Sequence, residues 1–548
     1  MAHKKKILKL LIAPFFFSVS LTLLMPLSVY VQNIDSNHFS FLDILPDLLL
    51  FTLLLFIVTS LFTLLISKRL KYFPLMLTAV LAGLWIQGSF INYPLGKLDG
   101  HQIIWSESLR FLWIEILAWG VLCVLVILFR KKLLKNNHFL LTFLFLLLTL
   151  PNVLILVYND RDLPEITYLD KTGEFKFSEN NVILIILDNF ESAAFQTILE
   201  ESADYSESFK DFIYFQDALG GYTSTKPSIP YLLSGRFYKN QIPTQEYEAG
   251  LVEDTISFQL KTQGYKIESY SYEPFFSSIY DNQTDTMPAE EKFSNAIQQT
   301  ILSGIRYSPL LLKPFFVARY YNGINYVHQD LVTFNTRAQE VEVESGAPRF
   351  KLIHLSGAHA PYQLDGNLEW KNGGYLGQAE AALLVVKNLL TEMKRAGVYD
   401  SSVIFILGDH GGLVPLGFST FPLSHHGQPL LLAKRAGQRF EALQISDAPV
   451  TLGDIPKTIA DETGIDADFP GLSIFEEMTG DRIRYFYFHT WEHQYWSRDY
   501  LPTLYEFEVN GLGREVSSWK YLGQYDEQKF ISADEWSDHE TIDFLMGQ

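Results

Sequence analysis

The chain predicts a transmembrane domain of five helices followed by an α/β domain built on a central, mostly parallel sheet. Three observations carry that expectation. Five apolar runs crowd the first third of the sequence and then stop; short β-branched runs alternate with helical stretches in the rest; and carboxylate and imidazole side chains recur where those short runs end.

The apolar runs are Ile7–Val31, Asp47–Ile66, Phe73–Asn92, Leu109–Phe129 and Phe139–Tyr158. Each has about the 20 residues that a helix needs to cross the hydrocarbon layer. The first is long, lacks a small-residue cleavage pattern and is followed by four more, so it reads as a retained helix. Short loops rich in Lys and Arg stay on the cytoplasmic side. Lys4, Lys5, Lys6 and Lys9 open the first run, Lys68, Arg69 and Lys71 separate the second from the third, and Arg130, Lys131, Lys132 and Lys135 separate the fourth from the fifth. The alternate loops, Gln32–Pro46 and Tyr93–Ser106, hold acids and a single Lys. An inside amino terminus and five crossings then put everything from Asn159 onward outside the cytoplasm. Glu115, in the fourth run and nearer its outer end, is ionisable where ionisation is expensive. Its expected partner is a head group or an interhelical donor, with simple packing the plainer reading.

Charge divides at the same place. Residues 1–160 hold 13 Lys and Arg against 7 Asp and Glu, a balance of +6, so the chain's net −19 leaves −25 for the remaining 388 residues. So acidic a portion is a poor partner for nucleic acid. The single cysteine, Cys123, lies in the fourth run, so no disulfide forms within the chain and an exported domain of this size must rely on its core. The expected organisation is a transmembrane domain over 1–158, a polar tether over 159–179 containing Pro164, and an extracytoplasmic domain over 180–548.

Beyond the tether, Asn181–Leu187 (NVILIIL), Arg349–Leu355 (RFKLIHL) and Ser402–Leu407 (SVIFIL) have the composition of buried parallel strands. A fourth strand is expected over Pro429–Ala433, with helices over Gly377–Ala396 and Asp454–Thr463. In such a sheet functional groups gather at the carboxyl ends of the strands. Asp188 ends the first strand, His354 and His359 lie at and beyond the end of the second, Asp409 and His410 end the third, and His426 precedes the fourth. Singly, an Asp after a strand reads as a cap or turn residue and a lone His as a hydrogen-bonded structural group. Together they offer the donors that zinc and its neighbours take.

Between the first two strands lies Gly220–Arg236, GGYTSTKPSIPYLLSGR. Glycines and hydroxyls precede a Pro-containing turn that runs into a helix expected to begin near Ser228, so amides and a helix amino terminus face whatever the hydroxyls bind, which favours an anion. A hydroxyl held there against a divalent metal can ionise and attack phosphorus or sulfur. The plain alternative is a capped turn. No G-x-G-x-x-G follows a strand, which disfavours a dinucleotide enzyme.

These blocks resemble the alkaline phosphatase and sulfatase superfamily, and within it the membrane-anchored bacterial branch of phosphoethanolamine transferases, phosphoglycerol transferases and lipoteichoic acid synthases. TSTKPSIP is similar to the nucleophile segment of the phosphoethanolamine transferases, which puts the catalytic threonine on Thr225, and TKPSIPYLLSGR follows the sulfatase pattern with its modified residue at the same Thr225. LDN at Leu187–Asn189, GDHG at Gly408–Gly411, HLSGAHAPY at His354–Tyr362 and HGQP at His426–Pro429 resemble the metal-ligand and histidine motifs. The resemblance implies metal ligation by Asp188, Thr225, Asp409 and His410. His359 and His426 would hold a second metal or move protons, and Lys226, Asn189 and His354 would touch substrate. Zinc is the implied metal, with manganese the alternative.

The departures narrow the chemistry. Those transferases carry disulfides that this chain lacks and have Glu where it has Asp188; sulfatases place an acid and a base where it has Asn189 and Ile229. Thr225 cannot become formylglycine, which argues against hydrolysis through a hydrated aldehyde. The implied activity is transfer of phosphoethanolamine or phosphoglycerol from a phospholipid to a surface glycan, lipid or polymer, at a bacterial inner membrane with the catalytic domain in the periplasm or outside. A hydrolase of the same superfamily and a non-catalytic lipid-binding relative are the alternatives. His489 and His493, in the aromatic segment Tyr485–Trp496, read as structural, with a substrate-facing role the alternative.

Overall fold

The computed structural model describes residues 2–33, 40–66, 71–91, 93, 95, 103, 105–158, 167–168, 175–271, 275–285, 292–323, 328–339, 341–371, 373–412, 421–478, 482–490, 499–535 and 538–547. They form two compact units, Met1–Glu165 with Glu290–Tyr326, and Ile166–Ala289 with Val327–Gln548. Most of the expected tether lies outside the described residues, as does His493.

In the first unit five helices are long and apolar enough to cross a membrane: Leu10–Gln32, Phe41–Ile66, Phe73–Phe90, Leu112–Lys135 and Asn137–Tyr158. They are apolar all round, as helices in a hydrocarbon solvent must be, and this suggests membrane anchoring. The first contains a π turn over Ser20–Leu24, just before Pro26. Proline has no N–H to give to the ladder, and a slip of register beside it accommodates the loss. The fourth extends past the apolar run into Arg130–Lys135, because Lys, Arg and Leu are good helix formers whatever their polarity.

The first unit also takes in a segment that the sequence assigns to the second domain. Helix Lys292–Tyr307, a 3₁₀ turn over Leu310–Leu312 and helix Lys313–Gly323 belong to it. The first of these helices is strongly amphipathic, with Ala296, Ile301 and Ile305 buried. Half-polar helices of that kind look the same in sequence whether they pack on a soluble core or on apolar helices.

The strands of the second unit are, in chain order, β1 (Thr167–Tyr168), β2 (Phe175–Phe177), β3 (Asn181–Leu187), β4 (Ile213–Phe215), β5 (Lys266–Ser271), β6 (Asn282–Asp285), β7 (Val341–Val343) and β8 (Arg349–Leu355). They continue as β9 (Ser402–Leu407), β10 (Leu431–Lys434), β11 (Gln444–Ser446), β12 (Ile483–Phe488), β13 (Leu504–Asn510), β14 (Trp519–Asp526) and β15 (Lys529–Ser532). Nine of them form one sheet in the order β1-β6-β5-β8-β3-β9-β10-β4-β11; β12 to β15 form an antiparallel sheet, and β2 pairs with β7. The three central strands are parallel and start together, with Asn181 opposite both Arg349 and Ser402. The expected fourth strand, β10, begins later than predicted and runs antiparallel to β9 and β4. An apolar run reports burial and carries no information about direction.

Alternation along β3 builds two cores. Ile183, Ile185 and Leu187 face helix Gly374–Ala396, whose Ala382, Val385, Val386 and Leu389 are buried against them. Val182, Leu184 and Ile186 face the other way, into a core shared with Ile229, Leu232, Ile256, Ile455 and Ile459. With both faces covered, only the strand ends remain open for polar groups.

Candidate active site

In-register starts give in-register ends, so β3 and β9 deliver Asp188 and Asp409 to one edge of the sheet. The chain turns sharply after each. Asn189 holds a positive φ of 58°; its N–H donates to Asp409 Oδ1 at 3.1 Å, and its carbonyl accepts from Tyr375 Oη at 2.9 Å. Asn is among the few non-glycine residues that tolerate this conformation. Gly357, after β8, has φ +52°, and a Cβ there would lie 2.5 Å from the Asp188 nitrogen. Glycine alone lets the loop close on the Asp188 backbone, whose carbonyl accepts from Ala358 N–H at 2.9 Å.

One carboxylate oxygen of Asp188, one of Asp409 and one ring nitrogen of His410 lie within 4.8 Å of one another, and all three residues are buried. His410 Nε2 is 3.4 Å from Asp188 Oδ1 and 3.6 Å from Asp409 Oδ2. Its Nδ1 is 2.9 Å from the Gly411 carbonyl, which only accepts, so Nδ1 carries hydrogen and Nε2 is turned to the carboxylates. Thr225 completes the cluster: its Oγ1 is 3.4 Å from Asp188 Oδ2 and 3.5 Å from His410 Nε2.

Thr225 is the first residue of helix Thr225–Ser234, three residues earlier than the sequence suggests. Pro227 marks no break, because proline fits the first turn, where no N–H partner exists. The helix dipole and free amides thus start at the hydroxyl itself. The neighbouring hydroxyls point elsewhere: Thr223 Oγ1 donates to the His489 carbonyl at 3.0 Å, and Ser224 Oγ lies 3.0 Å from His489 Nε2.

Burial pushes Asp409 above the ordinary carboxylate pKa, and the Asp188 charge adds to it. For His410 burial works the other way, but Asp409 and Asp188 overcome it and raise the imidazole. Two carboxylates so placed want a cation. Asp409 Oδ2 is buried without a hydrogen-bond partner among the described residues. Tetrahedral zinc with bonds of about 2 Å sets its donors about 3.3 Å apart; the pairs made by His410 Nε2 and Thr225 Oγ1 stand at 3.4–3.6 Å, and the three-residue set lies within 4.8 Å. The residues present therefore fit a divalent metal held by Asp188, Asp409, His410 and Thr225.

The other residues singled out from sequence are more dispersed. His426 is not one of the cluster, yet it is close enough for His410 to depress its pKa; burial first, then His410, pushes it down to about 3, and its buried Nδ1 has no hydrogen-bond partner among the described residues. His359 sits in the loop after β8, its Nδ1 2.5 Å from the Ala360 carbonyl, outside the three-residue cluster. His354 is buried, with Nδ1 3.3 Å from Ser271 Oγ on β5. Lys226 is half-buried beside Thr225 and acts on the Glu248 carboxyl. His489, read as structural, comes off the end of β12 onto Thr223 and Ser224, and burial pushes it down to about 4. Only its place at the end of an aromatic strand run hinted at this, because the contact joins the second sheet to a helix start far away in the sequence.

A mostly parallel α/β sheet with acids, an imidazole and a helix-start hydroxyl at its carboxyl edge has the arrangement of a hydrolase or transferase with a candidate metal site. The sulfatase family model matches residues 180–465, just over half of the chain, and the chain belongs to that family. No curated protein sequence matches it. Similar solved structures include Ps i-CgsB in complex with k-i-k-neocarrahexaose (16% identity, 62% of this chain and 85% of that chain, TM-score 0.42). Others are an alkaline phosphatase superfamily protein from Vibrio parahaemolyticus (14%, 71% and 90%, 0.38) and the lipoteichoic acid synthase LtaP from Listeria monocytogenes (14%, 62% and 88%, 0.38).

Proposed function

We propose that the protein transfers a phosphoryl substituent, phosphoethanolamine or phosphoglycerol, from a phospholipid head group to a cell-envelope glycan, lipid or polymer through a covalent intermediate on Thr225. The observation that carries this reading is the Thr225 hydroxyl, at a helix start and 3.4 Å and 3.5 Å from an acid and an imidazole of one buried cluster. A divalent metal, zinc first and manganese as the alternative, held by Asp188, Asp409, His410 and Thr225 would lower the hydroxyl pKa and offset phosphoryl charge. Thr225 Oγ1 gives up its proton and bonds to phosphorus; the bond from phosphorus to the diacylglycerol oxygen breaks, and diacylglycerol leaves with a proton. The acceptor hydroxyl then attacks the same phosphorus, its proton is taken up, and Thr225 is released. His426 and His359 would carry the proton transfers or hold a second metal. Lys226 and Asn189, and less directly the buried His354, would orient the substrate.

The apolar helices support a lipid donor, since a catalytic unit joined to membrane helices meets phosphodiesters at high effective concentration. No nucleotide is needed. With the amino terminus inside, the catalytic unit would lie on the outer face of a bacterial inner membrane. Full-length protein in vesicles of phosphatidylethanolamine or phosphatidylglycerol tests this: the Thr225 peptide should gain the mass of the substituted phosphate while diacylglycerol accumulates, and Thr225→Ala should give neither. Turnover of a sulfate ester or diester with no adduct on Thr225 would instead favour the hydrolase of the same family.

A further inference from the structure

The segment Lys292–Gly323 interrupts the catalytic sequence, yet it is built into the unit that holds the membrane-length helices. Its attachment there is specific. Tyr307 is buried, its Oη donating to Ser28 Oγ at 2.9 Å, and its ring lies against Gly88, where a Cβ would come within 2.1 Å of it. Arg306 Nε donates to the Gly88 carbonyl at 3.1 Å. At the turn, buried Glu115 accepts the Leu310 N–H on both oxygens, at 3.1 and 3.0 Å, besides bonds from Gln87 Nε2 and Tyr93 Oη. Lys313 Nζ, also buried, closes the same turn from the other side by donating to the Ile305 and Arg306 carbonyls. An internal carboxylate and an internal ammonium thus hold one turn rigidly.

What they hold outward is apolar. Leu311 is 70% exposed, Leu312 54% and Phe315 69%, side by side on the hairpin, while Val317 and Tyr320 turn inward. A soluble protein does not fix so compact an apolar tip in water without a partner for it. The position of the tip names the partner. Glu115 stands in the first turn of helix Leu112–Lys135, whose last turns carry Arg130, Lys131, Lys132 and Lys135. The tip is therefore fastened to the end of a membrane-length helix opposite its basic end.

We infer that the Lys292–Gly323 hairpin is a bilayer-inserted anchor, its Leu311, Leu312 and Phe315 tip seated among lipid acyl chains near the head-group level of the leaflet opposite the basic loops. The chain passes from the α/β unit into the membrane unit and back at this point, so the catalytic sequence is secured to the bilayer by more than the link that follows the fifth helix. Such amphipathic elements lie in the interface plane with their apolar side at the acyl boundary.

The lone cysteine makes the test direct. In a Cys123→Ser background, Leu311→Cys or Phe315→Cys carries a polarity-sensitive fluorophore on full-length protein in phosphatidylcholine vesicles, with Val124→Cys, inside helix Leu112–Lys135, as the reference. A nitroxide near the head-group end of the acyl chain should abolish most of the emission at 311 and 315, aqueous iodide should have little effect, and a nitroxide near the methyl end should act mainly at 124. Strong iodide quenching with no nitroxide effect at both 311 and 315 overturns the anchor. If 124 is then still quenched by lipid, the membrane reading of the helices survives; if it is not, both fall together.

Discussion

Two sets of buried polar groups, one in each compact unit, are handled in opposite ways. Several hydroxyls and amides of the membrane-length helices turn back on their own helix: Thr22 donates to the Ser18 carbonyl at 2.8 Å, besides its contact with Thr52, Thr63 to that of Thr59 at 2.7 Å, Thr78 to that of Pro74 at 3.1 Å and Asn152 to that of Leu148 at 2.6 Å. At the carboxyl edge of the catalytic sheet, the facing atoms Asp409 Oδ2, His410 Nε2 and Thr225 Oγ1 stand 3.4–3.6 Å from their partners within the cluster, beyond good hydrogen-bond length. A group that satisfies itself is structural. A buried group held just short of satisfaction waits for a ligand, and the fold supplies the strain-free backbone that keeps it there.

The largest expected effect breaks the comparison at Thr225. Thr225→Ala should leave the thermal transition in place and lower turnover on the order of 10³-fold or more, as loss of a nucleophile does elsewhere. Thr225→Ser should keep a measurable fraction, while Thr223→Ala and Ser224→Ala, whose hydroxyls face His489, should be far milder. Near-normal turnover of Thr225→Ala would move the nucleophile to another residue.

Next comes the loop that places Asp188. Gly357→Ala puts a Cβ 2.5 Å from a backbone nitrogen at φ +52°, so either the loop or Asp188 must shift. Destabilisation of about 2–4 kcal/mol is expected by chemical denaturation, with weakened metal affinity beside it.

Much of this edge was legible in the sequence, because the buried central strands are continuous β-branched runs: β3, β8 and β9 begin and end where the residues predict. Asp188, Asp409 and His410 were visible as strand-end residues among a wider set of histidines, whereas the choice of Thr225 over Thr223 and Ser224 came from the family resemblance and not from the turn itself. Three things were not legible. The antiparallel direction of β10 leaves no mark on composition. His489 reaches Ser224 only because β12 belongs to a second sheet, a pairing that no local pattern announces. The Lys292–Tyr307 helix shows an amphipathic period, which states that one face is covered without stating by what.

Glu115 tests the self-contained unit where it is most polar. Glu115→Gln keeps the shape but leaves one acceptor oxygen where the carboxylate offers two, both to the Leu310 amide and one of them also to Gln87 and Tyr93. A loss of about 2 kcal/mol is expected in detergent melts, since hydrogen bonds to a charged group are the stronger kind. At the catalytic edge the sign should reverse. Asp409→Asn removes a buried charge whose Oδ2 has no partner, so in chelator the variant should gain about 1 kcal/mol. Added zinc should raise the melting temperature of the natural protein and not that of the variant. A destabilised variant in chelator would mean that the carboxylate is already satisfied.

The smallest effect is expected where a polar group is most completely served by its own helix. Thr78 is buried in helix Phe73–Phe90, and its Oγ1 donates at 3.1 Å to the Pro74 carbonyl. That oxygen already lies opposite the Thr78 N–H in the helical ladder, so the hydroxyl bond is a second one to the same acceptor. Thr78→Val keeps the branched shape and leaves no acceptor unpaired; only the hydroxyl's own bond is lost. Polar contacts inside membrane proteins average about 0.6 kcal/mol, so the melting transition in detergent should move by less than that contribution and turnover should be unchanged. A loss above about 2 kcal/mol would show that Thr78 Oγ1 holds something beyond its own helix, and the contrast between the self-bonded hydroxyls of the membrane-length helices and a ligand-seeking catalytic edge would fail at that residue.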